Sequence, residues 1–124
     1  LVWHAFDDMK GGEIYVKKIS SMKVTDIALA VDENTKQEEV GIRPGEKLHE
    51  QMIGIEDALY TYEYPENFKI LPSINDWAKD EARIGDGIRV PEDFTYTSNN
   101  NKEWMEISEL KEWIKKNKSK IGNI

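Results

Sequence analysis

The feature that most constrains this chain is a four-residue turn, Arg43-Pro44-Gly45-Glu46. Proline fixes its own φ near the value that a turn requires, and glycine adopts a positive φ that other residues resist. We therefore expect a strand over residues 36–42 to end here, with the Arg43 side chain projecting from it. A guanidinium offers a planar fork of donors that suits a phosphate or diphosphate better than an ammonium group does. Two interpretations are level from the motif alone: an anion contact, or a turn whose arginine makes a structural ion pair.

The residues after the turn predict a short helix over 47–53, which Gly54 ends. Glu46 would stand at its start, where its carboxylate could accept hydrogen bonds from sugar hydroxyls. Glu46, His49 and Glu50 have the i, i+3, i+4 spacing of one helix face, which would allow a metal or acid–base cluster. A solvated helix face is the favoured interpretation. With only two histidines and no cysteine in the chain, a zinc site is not expected.

Elsewhere the patterns predict short elements, bounded by glycine and proline. In the first half, a helix containing Val2, Trp3 and Phe6 ends before Gly11-Gly12, and a strand covers 13–17. A second helix over 26–31 would be capped by Thr25 or Ser21. In the second half we expect a hairpin with strands at 59–64 and 67–71, an irregular loop or arm over 72–94, a polar turn at 95–101, and a last helix from a Ser108 cap to Lys118 with Leu110, Trp113 and Ile114 on its buried stripe.

These elements do not make an obviously closed core. Large aromatic side chains lie in segments of weak local structure, namely Trp3, Phe6, Trp77, Phe94 and Trp104. The chain also begins at Leu1 rather than Met. We therefore expect a piece of a longer protein that packs on partner structure and self-associates. The predicted division is residues 1–53, a substrate-binding subdomain with the turn, and 54–124, whose hairpin, arm and terminal helix would pack on a further domain.

Composition and charge exclude several classes of function. The formal net charge is -7 and the pI about 4.9, so nucleic acid is a poor partner, and the lysines near the C-terminus are interpreted as a solvated helix end. Without cysteine there is no disulfide or thiolate site. No apolar run can span a membrane and no signal peptide is visible, so we expect a cytoplasmic location. There is no Tyr-x-x-x-Lys pair and no glycine loop in a strand–loop–helix setting, so no catalytic, cofactor-binding or metal-binding residue is predicted.

Three segments together carry a family resemblance: residues 11–23, residues 41–50, and residues 93–101 followed by Trp104-Met105. In this order they resemble the C-terminal part of the inverting UDP-N-acetylglucosamine 4,6-dehydratases. These are polysaccharide-biosynthesis enzymes of the extended short-chain dehydrogenase/reductase superfamily. The resemblance implies an α/β fold class, with this chain as an α+β fragment. The fragment would be the substrate-binding portion, and the Rossmann domain would be missing.

The resemblance also implies a division of roles. The N-terminal Rossmann domain would bind NADP and carry the Tyr-x-x-x-Lys pair, which serves oxidation at C4, loss of water across C5–C6 and return of the hydride to C6. Arg43 would grip the UDP diphosphate and Glu46 would meet the uridine ribose, while Lys18 and His49 are further substrate-side candidates. The family often has prolines beside the strand's lysine where this chain has Lys17 and Ser20, which leaves the role of Lys18 open.

The leading hypothesis is thus a UDP-sugar-binding segment of an NADP-dependent dehydratase, catalytically silent by itself. One alternative is a stand-alone interaction module derived from that enzyme, which would use the arm over 72–94 to bind a partner protein. Another is part of a neighbouring sugar-nucleotide epimerase.

Overall fold

The structure, a computed structural model, describes residues 1–74 and 81–121 and divides them into two compact units. Unit 1 consists of residues 1–19 with the described part of 51–100, and unit 2 of residues 20–50 with the described part of 101–124. Both helices and sheets are present, which agrees with the expected mixed α/β class. In the described part of the chain, no helix is both long and apolar enough to cross a membrane.

Unit 1 is built on antiparallel strands. One sheet has four strands, in the order β1 (Ile14–Lys17), β4 (Asn67–Ile70), β3 (Thr61–Glu63) and β5 (Ile88–Arg89), and a second sheet pairs β2 (Gln51–Ile53) with β6 (Tyr96–Thr97). The predicted hairpin around Pro65-Glu66 is confirmed, because Thr61 pairs with Ile70 and Glu63 with Phe68. The helices described in this unit are α1 (Val2–Asp8), a 3-10 helix (Ile55–Tyr60) and α3 (Glu81–Ile84).

The core of unit 1 forms around β4, an inner strand of the four-stranded sheet. All four residues of β4 are buried, and this inner strand is paired on both edges, with β1 and β3. The Phe68 ring lies 5.3 Å from that of Phe94 and 5.2 Å from that of Tyr96, measured between centroids. Five further side chains complete this cluster: Val16, Ile53, Ala58, Ile70 and Val90.

Unit 2 contains the two longer helices, α2 (Val24–Val31) and α4 (Ile107–Ile121), which pack on each other. Its chain segments are also joined at Ser21, whose N–H donates to the Glu103 carbonyl at 2.8 Å and whose carbonyl accepts from Met105 at 2.9 Å. The Lys111 ammonium pairs with the Glu33 carboxylate beyond the end of α2. Residues 32–50, which follow α2 in the chain, contain no helix or strand.

Two elements predicted around the turn are wrong. Residues 36–42 are exposed and form no strand, because a polar segment gains a strand's stability only from a pairing partner. Residues 47–50 are not helical, and Gln51–Ile53 form β2 instead. Pairing with β6 buries Ile53 completely, and that burial outweighs the helical spacing of Leu48 and Met52.

Other boundaries also differ. Neither Thr25 nor Ser21 caps α2, whose N-cap residue is Lys23 and which has no side-chain cap. The Ser21 hydroxyl instead accepts a hydrogen bond from the Asn101 side-chain amide. The last helix begins at Ile107, so Ser108 lies inside it, and of the predicted stripe Leu110 is buried while Trp113 is half exposed. The predicted helix that ends before Gly11-Gly12 and the strand over 13–17 are confirmed as α1 and β1.

The second half of the chain is more regular than predicted. The first residues of the predicted strand at 59–64 belong to the 3-10 helix. The arm over 72–94 contains α3 and β5, and its residues 75–80, with Trp77, lie outside the described residues. The polar segment 95–101 begins with β6 before it turns.

Candidate functional site

The Arg43-Pro44-Gly45-Glu46 turn forms as predicted and is closed by two reciprocal hydrogen bonds. The Glu46 N–H donates to the Arg43 carbonyl at 3.0 Å, which is the bond that defines the turn. The Arg43 N–H in return donates to Oε2 of Glu46 at 2.9 Å. Gly45 has φ +89°, the left-handed value for which glycine is suited. The predicted backbone chemistry of the turn is therefore confirmed, although no strand leads into it.

The Arg43 guanidinium points into solvent. Its side chain is 79% exposed, and its Nε lies 4.0 Å from Oε1 of Glu46, at the outer limit of an ion pair. A pair this exposed contributes at most about 1 kcal/mol to stability. The arginine is thus held at its backbone while its donor fork remains accessible, an arrangement that can receive an anion.

Glu46 has a structural task that the sequence did not reveal. Its carboxylate accepts the Arg43 N–H and stands beside the Arg43 guanidinium, so it fixes the turn from inside. Because Glu46 is exposed and a carboxylate offers about four lone-pair positions, acceptor capacity remains after this bond. The geometry is therefore compatible with both a structural and a ligand-binding use of the same group.

The other two candidates are placed differently. His49 is exposed in a bend of unit 2, so the helical face that would have aligned it with Glu46 and Glu50 does not exist. Lys18 belongs to unit 1, where its ammonium pairs with Glu63 at 2.7 Å and lies 5.1 Å from the centre of the Phe68 ring. Among residues 1–74 and 81–121, no group of three or more metal-ligating side chains is found.

Unit 1 also contains a buried ion pair that sequence reasoning missed. Arg83 pairs with Glu13, and the two side chains are 8% and 2% exposed. The Glu13 carboxylate also accepts backbone N–H bonds from Gly11 at 2.7 Å and Lys10 at 3.2 Å. Burial by itself would raise the pKa of Glu13. The backbone N–H groups of Glu13 itself, Gly11 and Lys10, together with the Arg83 charge, outweigh it and lower the pKa below its ordinary value of 4.5.

A second buried cation, Lys69 of β4, lies between α1 and α3. Its ammonium pairs with Asp8 and donates to the Arg83 carbonyl at 2.8 Å. It also lies 5.6 Å from the centre of the Tyr15 ring and 5.0 Å from that of Tyr64. Burial would raise the pKa of Asp8, but hydrogen bonds from Lys69 and Tyr15 lower it overall.

The missed clusters had a weak signal in the sequence. A lysine at position 69 interrupts an otherwise uncharged strand, Asn67–Ile70, in the middle of a hairpin. A charge at such a position indicates either an exposed face or a buried pair, and local sequence does not distinguish them. Asp8 is far from Lys69 along the chain, and Glu13 is 70 positions from Arg83, so only the fold reveals these pairs.

The glycines between α1 and β1 do not form a cofactor loop. Gly11-Gly12 stand in the order helix–loop–strand, the reverse of the strand–loop–helix that holds a dinucleotide diphosphate. The Gly11 N–H, which would face a phosphate in such a loop, donates to Glu13. These residues therefore do not fit a dinucleotide.

A family model described as "Polysaccharide biosynthesis protein" matches residues 1–72. Two similar curated proteins, both named UDP-N-acetylglucosamine 4,6-dehydratase (inverting), come from Campylobacter jejuni subsp. jejuni serotypes O:2 and O:23/36. The first is 44% identical over 114 residues, covering 88% of this chain and 34% of the relative, and the second 43% identical over 110 residues, covering 85% and 33%.

The chain therefore spans about a third of the length of the curated relatives it matches. A similar solved structure is described as the X-ray structure of Pen from Bacillus thuringiensis. It has a TM-score of 0.74 and 25% sequence identity, with 94% of this chain and 35% of that chain covered.

Proposed function

This chain belongs to the polysaccharide biosynthesis protein family, and from that premise we propose that it is the UDP-sugar-binding, C-terminal segment of an inverting UDP-N-acetylglucosamine 4,6-dehydratase. The names of its two relatives support the reaction, and the identity over most of this chain supports a shared site. The observation that supports the binding role is the Arg43 turn, in which two hydrogen bonds between Arg43 and Glu46 hold the backbone while the guanidinium remains accessible.

In this proposal Arg43 binds the diphosphate of the substrate. A guanidinium can donate two parallel N–H bonds to phosphate oxygens, which fixes the orientation of the ligand as well as its charge. The turn holds the arginine backbone before the ligand arrives, so less conformational entropy is lost on binding. The weak contact with Glu46 is readily exchanged, because solvent screens both groups.

Glu46 has two uses in this proposal. Its Oε2 keeps the Arg43 N–H, and the remaining lone pairs accept hydrogen bonds from the ribose hydroxyls. The carboxylate then positions the nucleoside directly beside the group that binds the diphosphate. His49 and Lys18 remain secondary candidates for contact with the substrate. His49 is exposed in a bend, and Lys18 already forms an ion pair with Glu63, so neither position points to a ligand.

The chemical step is assigned to the rest of the parent polypeptide. NADP would supply the hydride acceptor and donor there, on a Rossmann domain. The residues of this chain would bind and orient the substrate. The 124-residue chain alone should consequently give no turnover of UDP-N-acetylglucosamine.

The decisive experiment compares arginine variants in the complete protein encoded by the uninterrupted reading frame. Arg43→Ala should weaken binding of UDP, measured by isothermal titration calorimetry, by roughly 10- to 100-fold, the scale for a hydrogen bond to a charged group. Arg43→Lys keeps the charge but loses the fork, so its affinity should fall between those of the wild type and the alanine variant. Arg89→Ala removes an exposed arginine from β5 in unit 1 and is the matched control.

Unchanged UDP affinity in Arg43→Ala would remove this residue from the site. Product analysis by NMR then tests the reaction itself. A 4-keto-6-deoxy sugar nucleotide with inversion at C5 supports the dehydratase. A product that differs from the substrate only in the configuration of one hydroxyl-bearing carbon identifies an epimerase instead. A reading frame with no segment before Leu1 would favour a stand-alone interaction module.

A further inference from the structure

Helix α1 exposes its apolar side. Trp3 is 81% exposed and Phe6 71%, and the two rings lie 6.2 Å apart with Val2 also in solvent. No residue of this helix is buried. A surface helix ordinarily packs its apolar stripe on the body of the protein, so α1 has the opposite orientation.

The polar side of α1 is what attaches it to unit 1. Asp8 accepts a hydrogen bond from the Tyr15 hydroxyl at 2.6 Å and pairs with the buried Lys69. One turn earlier, the His4 ring meets the Tyr15 ring edge-on at 6.0 Å between centroids. Rotating α1 to bury its aromatic rings would leave the Lys69 ammonium without its carboxylate, and an uncompensated buried charge is strongly unfavourable. The outward direction of Trp3 and Phe6 is therefore fixed by the fold.

We propose that the outward face of α1, formed by Val2, Trp3 and Phe6, is the docking surface for the part of the parent polypeptide that lies outside this chain. This inference rests on the proposed function. The relatives are about three times as long as the matched region, so most of such a polypeptide lies outside the part that this chain matches. Two exposed aromatic side chains offer on the order of 300 Å² of apolar surface, which is in the range of the largest apolar patch on a typical monomer, a patch that is often functional.

A second copy of this chain is the less favourable occupant. The chain carries a formal charge of -7, so two copies repel each other. Asp7 lies on the exposed part of α1 beside Phe6, where it would oppose an acidic partner. The surface that covers this face should accordingly be apolar at its centre and neutral or basic at its rim.

The test places the same substitutions in two proteins. In the 124-residue chain, Trp3→Glu and Phe6→Glu should leave the melting temperature unchanged within about 1 °C, because exposed side chains have little effect on stability. In the complete protein each should lower the melting temperature by roughly 5 °C or prevent folding, because a charge then enters a buried apolar interface. Glu92→Gln, which removes a charge from an exposed position of unit 1 outside α1, is the control and should have no effect in either protein. In the unmodified proteins, amide exchange from Ala5 to Met9 should be roughly tenfold slower in the complete protein.

The outcomes separate this inference from the proposed function. Equal exchange rates in the two proteins, or a complete Trp3→Glu protein that is as stable as the wild type and still forms the 4-keto product, would overturn the docking surface and leave the dehydratase proposal standing. Self-association of the 124-residue chain in sedimentation, abolished by Trp3→Glu, would assign the surface to a second copy and overturn the inference. A reading frame without further sequence would overturn both proposals.

Discussion

Replacing Arg83 by methionine tests whether the buried ion pair with Glu13 stabilises unit 1. The substitution keeps much of the side chain's apolar volume and removes its charge. Glu13 would then be a buried carboxylate without a counter-charge, which typically costs about 3–5 kcal/mol of folding free energy. The N–H donors of Gly11 and Lys10 remain, so we expect about 3 kcal/mol, the lower end of that range.

Urea unfolding of the 124-residue chain, followed by circular dichroism, measures this loss. With an m-value of about 1.5–2 kcal/mol/M, a loss of 3 kcal/mol lowers the midpoint by roughly 1.5–2 M. The same replacement at Arg89, which is exposed in β5, should change stability by less than about 0.5 kcal/mol and serves as the control.

A double-mutant cycle with Glu13→Gln then isolates the pair. When the carboxylate is already neutral, Arg83→Met should cost clearly less, with a coupling energy of about 1–3 kcal/mol. Two single losses that add without coupling would refute the reasoning. So would an Arg83→Met chain that unfolds at the wild-type urea concentration.

Three further results are expected from the same contacts. The pKa values of Glu13 and Asp8 are lowered in the folded state, so both carboxylates stabilise the fold fully above their ordinary values of 4.5 and 3.8, and this contribution is lost as the pH falls through the lowered values. A Glu13→Gln chain should therefore lose less stability in acid than the wild type, and an unchanged acid profile would contradict this. Gly45→Ala should weaken UDP binding in the complete protein several-fold, because φ +89° strains an alanine by about 1 kcal/mol, although its Cβ would meet no neighbouring atom. Calorimetry measures this affinity, and a wild-type value would show that the turn need not be formed before UDP binds. Tyr96→Phe should lower the free energy of unfolding by about 1–3 kcal/mol, because the Tyr96 hydroxyl donates to the Ile19 carbonyl at 3.0 Å and accepts a hydrogen bond from the Ile19 N–H at 2.9 Å. Urea unfolding measures this loss, and a value near zero would mean that water replaces both bonds.

The turn was predictable because its information is local. Proline and glycine restrict their own backbone angles whatever surrounds them, so Pro44 and Gly45 determine the conformation without help from distant residues. The hairpin around Pro65-Glu66 was predictable for the same reason. The predicted strand over 36–42 failed because strand formation depends on a partner, and the sequence of a segment does not say whether one is present.

The division of the chain into two units also could not be predicted from local sequence. The two compact units are each assembled from separated stretches, so no composition change along the chain marks them. The predicted division between residues 53 and 54 concerned packing on a further domain and stays a prediction, as do the ligand roles of Arg43, Glu46, Lys18 and His49.

By itself the sequence determined the family and the chemistry of the Arg43 turn, because residue identities and backbone preferences are properties of short segments. Tertiary structure alone decided which charges are buried and which aromatic faces are exposed. Glu13 and Arg83 are 70 positions apart, and Asp8 and Lys69 are almost as distant, so their pairing depends on how the sheet brings these segments together. The same packing turns Trp3 and Phe6 outward, since the energy of a buried charge pair outweighs the apolar preference of a seven-residue helix.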